Sequence, residues 1–457
     1  MVEGRLGVSY PGHGVFGALP DLQRDPVAAL TRAAFEVGRV VNLRLPHLFA
    51  QVAAVPAVAE AVLHTQVRNF TKQTRGYAQL RRVLGNGLLT SEGDFWLRQR
   101  RLAQPAFHKE RLAGFAARMV TATEEAVASW APHAERGTPV DVVAEFSRLT
   151  LRIVSETLLS ADVTAHASEV GRALAVGLEA LQHRLTHPLQ PDWLPTRKNR
   201  AIARSGRVLD AVVLGLIAER RAGKGPDDDL LAMLLSAVDE ETGARMDDAQ
   251  LRDEVMTMFL AGHETTAMLL SWTALHLSRN PAVERAALKE LDEVLGGRAP
   301  TVGDLPRLKY LSCVIKEVLR LAPPAWILVR RVVEDAVIDG WRFPAKSVVM
   351  VPPYLLHRLP EVWPNPEGFD PDRFLDAEPG PLSAPRGTPR GAYLPFSLGA
   401  RKCIGDTFAF MEAQLVLATL LPRVALSLVP GAHVHHEGLI TLRPTGLSMH
   451  VRARGRP

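Results

Sequence analysis

Apolar side chains recur three and four positions apart through 112–130, 140–159, 201–221, 248–280, 310–321 and 406–421, the period of helices with one buried face. A further helix is expected over 25–41, where Asp25 stands at the N-cap and Pro26 at the first helical position. Pro281 closes 248–280, and Pro323-Pro324 ends 310–321. Short apolar runs broken by proline over 41–63 predict a small sheet. Residues 336–351 alternate strands and turns, and 439–451 reads as a hairpin about Pro444-Thr-Gly446. The stretch 70–89 reads as irregular, 223–229 as a polar turn, and 360–374 as a proline-rich meander. A helix begins at Asp94, and a proline-rich break with Pro188, Pro191, Trp193 and Pro195 lies between helical sequence on both sides. The pattern predicts a mainly helical chain with some strands and no internal repeat.

The longest of these segments, 248–280, would reach roughly 50 Å at ~1.5 Å per residue if continuous. Its middle is mostly apolar but carries a polar knot at Gly262, Glu264 and Thr265. A glycine inside a helix costs ~1 kcal/mol relative to alanine. A buried glutamate needs a partner, and a threonine can bond back to the carbonyl one turn earlier and bend the helix. The three together look like a groove cut into the helix, with a solvated polar patch as the plain alternative.

A second departure is Phe396-Ser-Leu-Gly-Ala-Arg-Lys-Cys-Ile-Gly405, one thiol framed by glycines and cations. Gly399 and Gly405 would allow backbone angles and close approaches that a side chain forbids. Arg401 and Lys402 would favour the thiolate of Cys403, and so would the N-terminus of the helix that follows. Such a thiolate is a ligand for a soft or borderline metal, haem iron among the candidates. A lone cysteine is otherwise a small buried apolar residue, which is the expectation for Cys313.

Composition narrows the class. The chain has 457 residues, 47% hydrophobic and 23% charged, which suits a globular protein with a large core. Two distant cysteines are poor material for a disulfide framework and fit a reducing compartment. Residues 1–20 hold no apolar run for a leader or anchor. The early apolar stretch 45–63 is interrupted by Pro46, Gln51, Pro56 and Glu60, so no membrane span is expected. The net charge of +5 offers a basic face for an acidic partner, but no basic stripe with interleaved aromatics suggests nucleic acid. The expectation is a soluble, cytoplasmic protein.

The pattern Phe396, Gly399, Arg401, Cys403, Gly405 resembles the haem-binding loop of the cytochrome P-450 superfamily, with no departure at those positions. Ala261-Gly-His-Glu-Thr-Thr266 is similar to that family's oxygen-binding groove, Trp96-x-x-x-Arg100 to its propionate-binding helix, and Glu317-x-x-Arg320 with the Arg373 of Pro371-Asp-Arg-Phe374 to its structural motif. The resemblance runs from about residue 25 to the end, with the motifs in the family's order. It implies a single domain over 1–457, largely helical with a smaller sheet-rich lobe, a long central helix and haem between that helix and the Cys loop. Residues 1–24 would be an N-terminal arm and 377–391 a flexible loop.

The resemblance also implies roles. Cys403 is the proximal iron ligand, with Phe396 packed beside the ring. Trp96, Arg100, Arg330 (in preference to Arg331) and Arg401 hold the propionates of haem b. Ala261 and Gly262 form the groove, Thr265 donates a hydrogen bond to bound oxygen, and Glu264 relays protons from solvent. Glu317, Arg320 and Arg373 form a buried network supporting the Cys loop. The proline-rich break matches a mobile lid. Met258, Phe259, Ala325, Trp326, Ile327 and Ile440 line an apolar pocket, so the substrate is a fatty acid, terpenoid, steroid-like or polyketide compound. The implied reaction is monooxygenation of a lipophilic molecule by a monomer. Electrons would come from a separate ferredoxin or flavodoxin with its reductase, with the Arg401-Lys402 region as part of the docking face. The alternatives are a peroxide-driven haem-thiolate peroxygenase and a non-catalytic haem-thiolate sensor.

Overall fold

A computed structural model describes residues 4–455, apart from 47, 159–163, 187–193 and 227–228. Most of the proline-rich break lies outside the described residues.

The long helix, Asp248–Arg279, begins where Asp247 accepts from the backbone of Gln250 at 2.8 Å and the Gln250 side chain reaches back to the backbone of Asp247. It is buried on nearly all sides, so helices pack around it: Val142–Leu158 alongside, Arg197–Arg221 over its first half, and Lys309–Leu321 and Asp406–Leu420 beneath. Pro281 does close it, and also opens the next helix, Pro281–Leu295. Among the described residues no helix is long and apolar enough to cross a membrane.

A six-stranded sheet forms the smaller lobe, in the order Val8–Ser9, Val40–Leu45, Leu48–Ala53, Val348–Val351, Leu328–Val332, Phe70–Thr71. It binds the start of the chain to residues 328–351. Val8 pairs with Val41 in parallel, and the backbone of Arg5 bonds to Gly340 and Arg342. From residue 5 on, the N-terminal arm is thus bound to the sheet lobe, and it includes the short helix Leu19–Arg24.

Several expectations change. Asp25 caps its helix as expected, accepting from Ala28 at 2.9 Å, but Pro26–Arg32 passes into a wider turn, Ala33–Val37, and the first long strand starts at Val40. Residues 70–89 are not irregular: Arg75–Leu84 is a helix capped by Thr74 and closed by Gly85 at φ 73°. Its arginines hid a narrow apolar face. A short helix, Leu230–Ser236, follows the turn at 223–229. The hairpin turn lies at 439–441, not at Pro444-Thr-Gly446. His435–Gly438 pairs with Leu442–Thr445, whereas Ser448–Ala453 pairs with Val424–Leu428. Residues 377–391 hold no regular element, yet Glu378 O accepts from Lys316 Nζ at 3.1 Å.

Candidate functional site

The polar knot lies where the burial of the long helix is interrupted: Ala261 is exposed, and Gly262, Glu264 and Thr265 are half-buried. Three successive carbonyls here each accept a hydroxyl: Ala261 O from Thr265 at 2.7 Å, Gly262 O from Thr266 at 3.1 Å, and His263 O from Thr150 at 2.9 Å. Such bonds draw carbonyls away from the helical ladder and locally loosen it. The Thr265 proton is given to Ala261, so its oxygen is left to accept. Gly262 serves packing as well, since a Cβ there would come within 3.0 Å of Val154. Glu264 accepts from Thr441 at 3.2 Å and lies 3.8 Å from His263 Nε2, which ties it to the neighbouring loop rather than to open solvent.

The Cys loop closes on itself through a bond from Cys403 N to Phe396 O at 3.0 Å. Gly399 is required on two counts, a φ of 72° and a backbone approach to Leu63 O that a Cβ would block. Gly405 has no such need within the protein, since its φ is −93° and a Cβ would meet only Phe107 at 3.8 Å. The Cys403 thiol is accessible, yet protein surrounds it, and desolvation pushes its pKa up to about 11 against the opposing pull of Gly405 N–H, Arg100 and Lys402. Lys402 and Arg100 still favour the thiolate, and iron bound there would displace the proton. Arg401 takes no part: it stacks 3.8 Å from the Trp96 ring centroid, pairs with Glu92 at 3.0 Å and is buried. For the same reason it cannot serve a docking face, which leaves Lys402, itself 3.0 Å from Asp406.

Arg401 belongs instead to a buried cationic cluster with Lys72, Arg100 and Arg330. Strand alternation turns Arg330 inward and Arg331 to solvent. Arg330 is 2% exposed, and among the described residues its guanidinium reaches only the adjacent Val329 O, at 2.9 Å. Arg100 reaches Lys402 O at 3.0 Å, and Lys72 reaches Leu89 O at 2.9 Å. Burial, then repulsion from Arg330 and Arg401, holds the Lys72 ammonium well below the usual lysine range. Burial likewise lowers Arg401 to about 10, with Glu92 opposing. Among the described residues Glu92 is the only carboxylate bonded to any of the four. The cluster calls for an anionic ligand. The sequence reading missed Lys72 and Glu92; a single lysine and a single glutamate carry no local signal.

Beneath the loop, Glu317 and Arg320 are fully buried and joined by two bonds, at 2.7 and 2.8 Å, and Arg373 Nε reaches Glu317 at 3.1 Å. Arg320 also donates to the carbonyls of His357, Pro366 and Gly368. His357, also missed, completes the connection: its Nδ1 lies 3.1 Å from Arg320 O, and its Nε2 accepts from Leu394 N at 2.7 Å, two residues before Phe396. Burial lowers its pKa to about 3, which suits a neutral ring with Nδ1 as donor.

The expected pocket residues divide. Met258 is buried beside the groove face, Ala325 is exposed, and Ile327 and Ile440 are half-buried. Phe259 does not belong with them: at ~100° per residue it lies on the opposite side of the helix from Ala261, with its ring 6.4 Å from His263. Trp326 donates to Leu439 O at 2.9 Å and packs under Gly438, so it anchors the 435–445 hairpin.

The family model for cytochrome P450 matches residues 9–447. Cyclooctatin synthase of Streptomyces melanosporofaciens is 39% identical, over 97% of this chain and 94% of its own. Cyclooctat-9-en-7-ol 5-monooxygenase of the same organism is 36% identical, over 86% and 84%. Pentalenene oxygenase of Streptomyces avermitilis is 36% identical, over 91% of each.

Proposed function

The chain belongs to the cytochrome P450 family of monooxygenases, and on that premise we propose that it hydroxylates or epoxidises a terpenoid. The terpenoid reading is supported by the similarity to relatives named for cyclooctat-9-en-7-ol and pentalenene. Haem b would be held by Cys403, and a separate ferredoxin or flavodoxin with its reductase would supply electrons.

The single observation that carries the site is a cluster of four cations, Lys72 and Arg330 buried and Arg100 beside the accessible thiol of Cys403, in which Glu92 is the only carboxylate bonded to any of the four among the described residues. A porphyrin with two carboxylates fits that excess. Lys72, Arg100, Arg330 and Arg401 would take the carboxylates and Cys403 the iron. Haem bound there supplies oxygen activation, and a thiolate ligand favours O–O cleavage. The chain's own residues position and protect. Thr265 Oγ1 offers an acceptor at the groove, and Glu264, which accepts from Thr441, holds a carboxylate at the groove's edge. The apolar wall formed by Met258, Ala325, Ile327 and Ile440 excludes water.

Two substitutions test these assignments. Arg330→Leu should weaken haem retention by about tenfold or more, since a charge-assisted hydrogen bond is lost. The haem-free protein should melt higher, because an unpaired buried cation is gone. Haem loss to an acceptor protein and apo-protein melting read the two effects, and a drop in both would mean that Arg330 is only a packing residue. Thr265→Ala should lower product formed per electron consumed and raise hydrogen peroxide release while substrate binding holds. Unchanged coupling would remove Thr265 from the proton path. Turnover with a ferredoxin system but not with peroxide alone supports the monooxygenase; the reverse supports the peroxygenase.

A further inference from the structure

Residues 193–209 carry Arg197, Lys198, Arg200, Arg204 and Arg207 and no acid. All five stand in the first half of helix Arg197–Arg221, which opens where Thr196 Oγ1 accepts from Asn199 N at 3.1 Å. At ~100° per residue, Arg197, Arg200, Arg204 and Arg207 fall within an arc of ~80°. The buried Ile202, Leu209 and Val213 centre on the opposite side, so the four arginines line the outermost face, and all four are exposed. Among the described residues none of their guanidinium groups has a hydrogen bond or an ion pair. The end of the same helix differs, since Arg220 is paired with Asp229 and Arg221 with Asp248. The first acid after the stripe, Asp210, is bonded to Arg252 of the long helix at 2.7 Å. Like charges three and four residues apart destabilise a helix, and an anionic surface laid along this face would reverse that cost.

The surroundings of the stripe narrow the choice of surface. A protein interface carries aromatic anchors at its centre, and neither this helix nor its neighbour Thr164–Thr186 contains Phe, Tyr or Trp. The exposed residues beside the arginines are instead small, Ala203, Ala211 and Gly215, or aliphatic, Leu194 and Leu214. Val176 of the neighbouring helix is exposed too, next to Gly177, which packs on Ser205. The position does not suit an electron carrier, which has to approach the thiol. Arg221 with Asp248 and Asp210 with Arg252 seat this helix on the first turns of the long one, ~20 Å along it from the groove. Guanidinium and aliphatic groups side by side match the boundary of a bilayer, where anionic headgroups and acyl chains meet.

We propose that the Arg197–Arg207 face docks the enzyme on the surface of an anionic phospholipid bilayer. The attachment is peripheral, since among the described residues no helix is long and apolar enough to cross a membrane. A lipophilic substrate partitions into the same bilayer, so docking brings the enzyme to where that substrate concentrates. The docking itself does not depend on the terpenoid reading, and its failure would leave that reading intact.

The test is sedimentation of the haem-loaded enzyme with vesicles of phosphatidylglycerol and phosphatidylcholine in equal parts, and with vesicles of phosphatidylcholine alone. The wild type should bind the anionic vesicles only, and should leave them at about 0.5 M salt, where screening shortens the reach of surface charge. Arg200→Gln combined with Arg204→Gln removes two charges and keeps two good helix formers. Each arginine near an anionic surface contributes about fivefold, so the double variant should bind more than about tenfold more weakly. Arg285→Gln combined with Arg452→Gln, a change of equal charge at two exposed arginines elsewhere, should bind as the wild type does. Both double variants should keep the wild-type haem spectrum and melting temperature. Equal losses in the two would mean that net charge rather than this face attracts the vesicles, and would overturn the proposal. Equal binding to both vesicle types would overturn it as well. A wild type that binds neither would also overturn it and leave the stripe to an acidic protein.

Discussion

Replacing Glu317 by alanine should destabilise the protein by about 3–5 kcal/mol, the range seen when one member of a buried pair is removed. Glu317 and Arg320 are both fully enclosed, so neither charge can recover solvation when its partner goes. The alanine variant leaves Arg320 and Arg373 facing each other across an empty carboxylate site, and Asp370 N loses its acceptor at 2.9 Å. The pair's own contribution is a separate quantity, since desolvation offsets most of the attraction within a buried ion pair. The prediction therefore concerns the broken pair. Damage should pass to the Cys loop, because Arg320 O anchors His357 and His357 holds Leu394 N. Urea unfolding of the haem-free variants reads the first effect, and haem content after expression reads the second. Glu317→Gln keeps the shape and one acceptor and should fall between alanine and wild type. A wild-type midpoint for Glu317→Ala would mean that the three side chains are passengers.

The sequence was legible where one local pattern carried the geometry. Phe396 to Gly405 states its turn, its thiol and its cation in ten residues, and Ala261 to Thr266 states a helix defect in six. Lys72, Glu92 and His357 were not legible, because each acts only through groups brought from distant parts of the chain: Lys72 meets Arg330 and Arg401, and His357 joins Arg320 to Leu394. The position of the Arg401 side chain was not legible for a related reason: Arg401 stands two residues from Cys403 in sequence, but Trp96 and Glu92 hold its side chain. Phe259 entered the expected pocket through the family resemblance, although helical phase separates it from Ala261. The misplaced hairpin shows the same limit. Pro444-Thr-Gly446 is a sound turn, but strand 448–453 pairs with 424–428, and long-range partners decide that choice.

Cys403→Ser should abolish monooxygenation while leaving a folded protein that still binds some haem. The cationic cluster that would hold the carboxylates is untouched, and Cys403 contributes little packing because its side chain is accessible. What disappears is the sulfur ligand. In the dithionite-reduced protein under carbon monoxide, the long-wavelength Soret band of a thiolate-ligated haem should be present in the wild type and absent in the variant. The second thiol provides the control. Cys313 is buried in helix Lys309–Leu321 with its pKa pushed up to about 11 by desolvation, so Cys313→Ser should leave the band in place. A band that survives in Cys403→Ser and vanishes in Cys313→Ser would move the metal site into the buried helix Lys309–Leu321 and remove the groove and the cluster from the catalytic account together. Loss of the band in Cys403→Ser alone ties the iron to the one accessible thiol. Oxygen chemistry would then be sought on the thiol's side of the break in the long helix, where Ala261 is exposed and Gly262, Glu264 and Thr265 are half-buried.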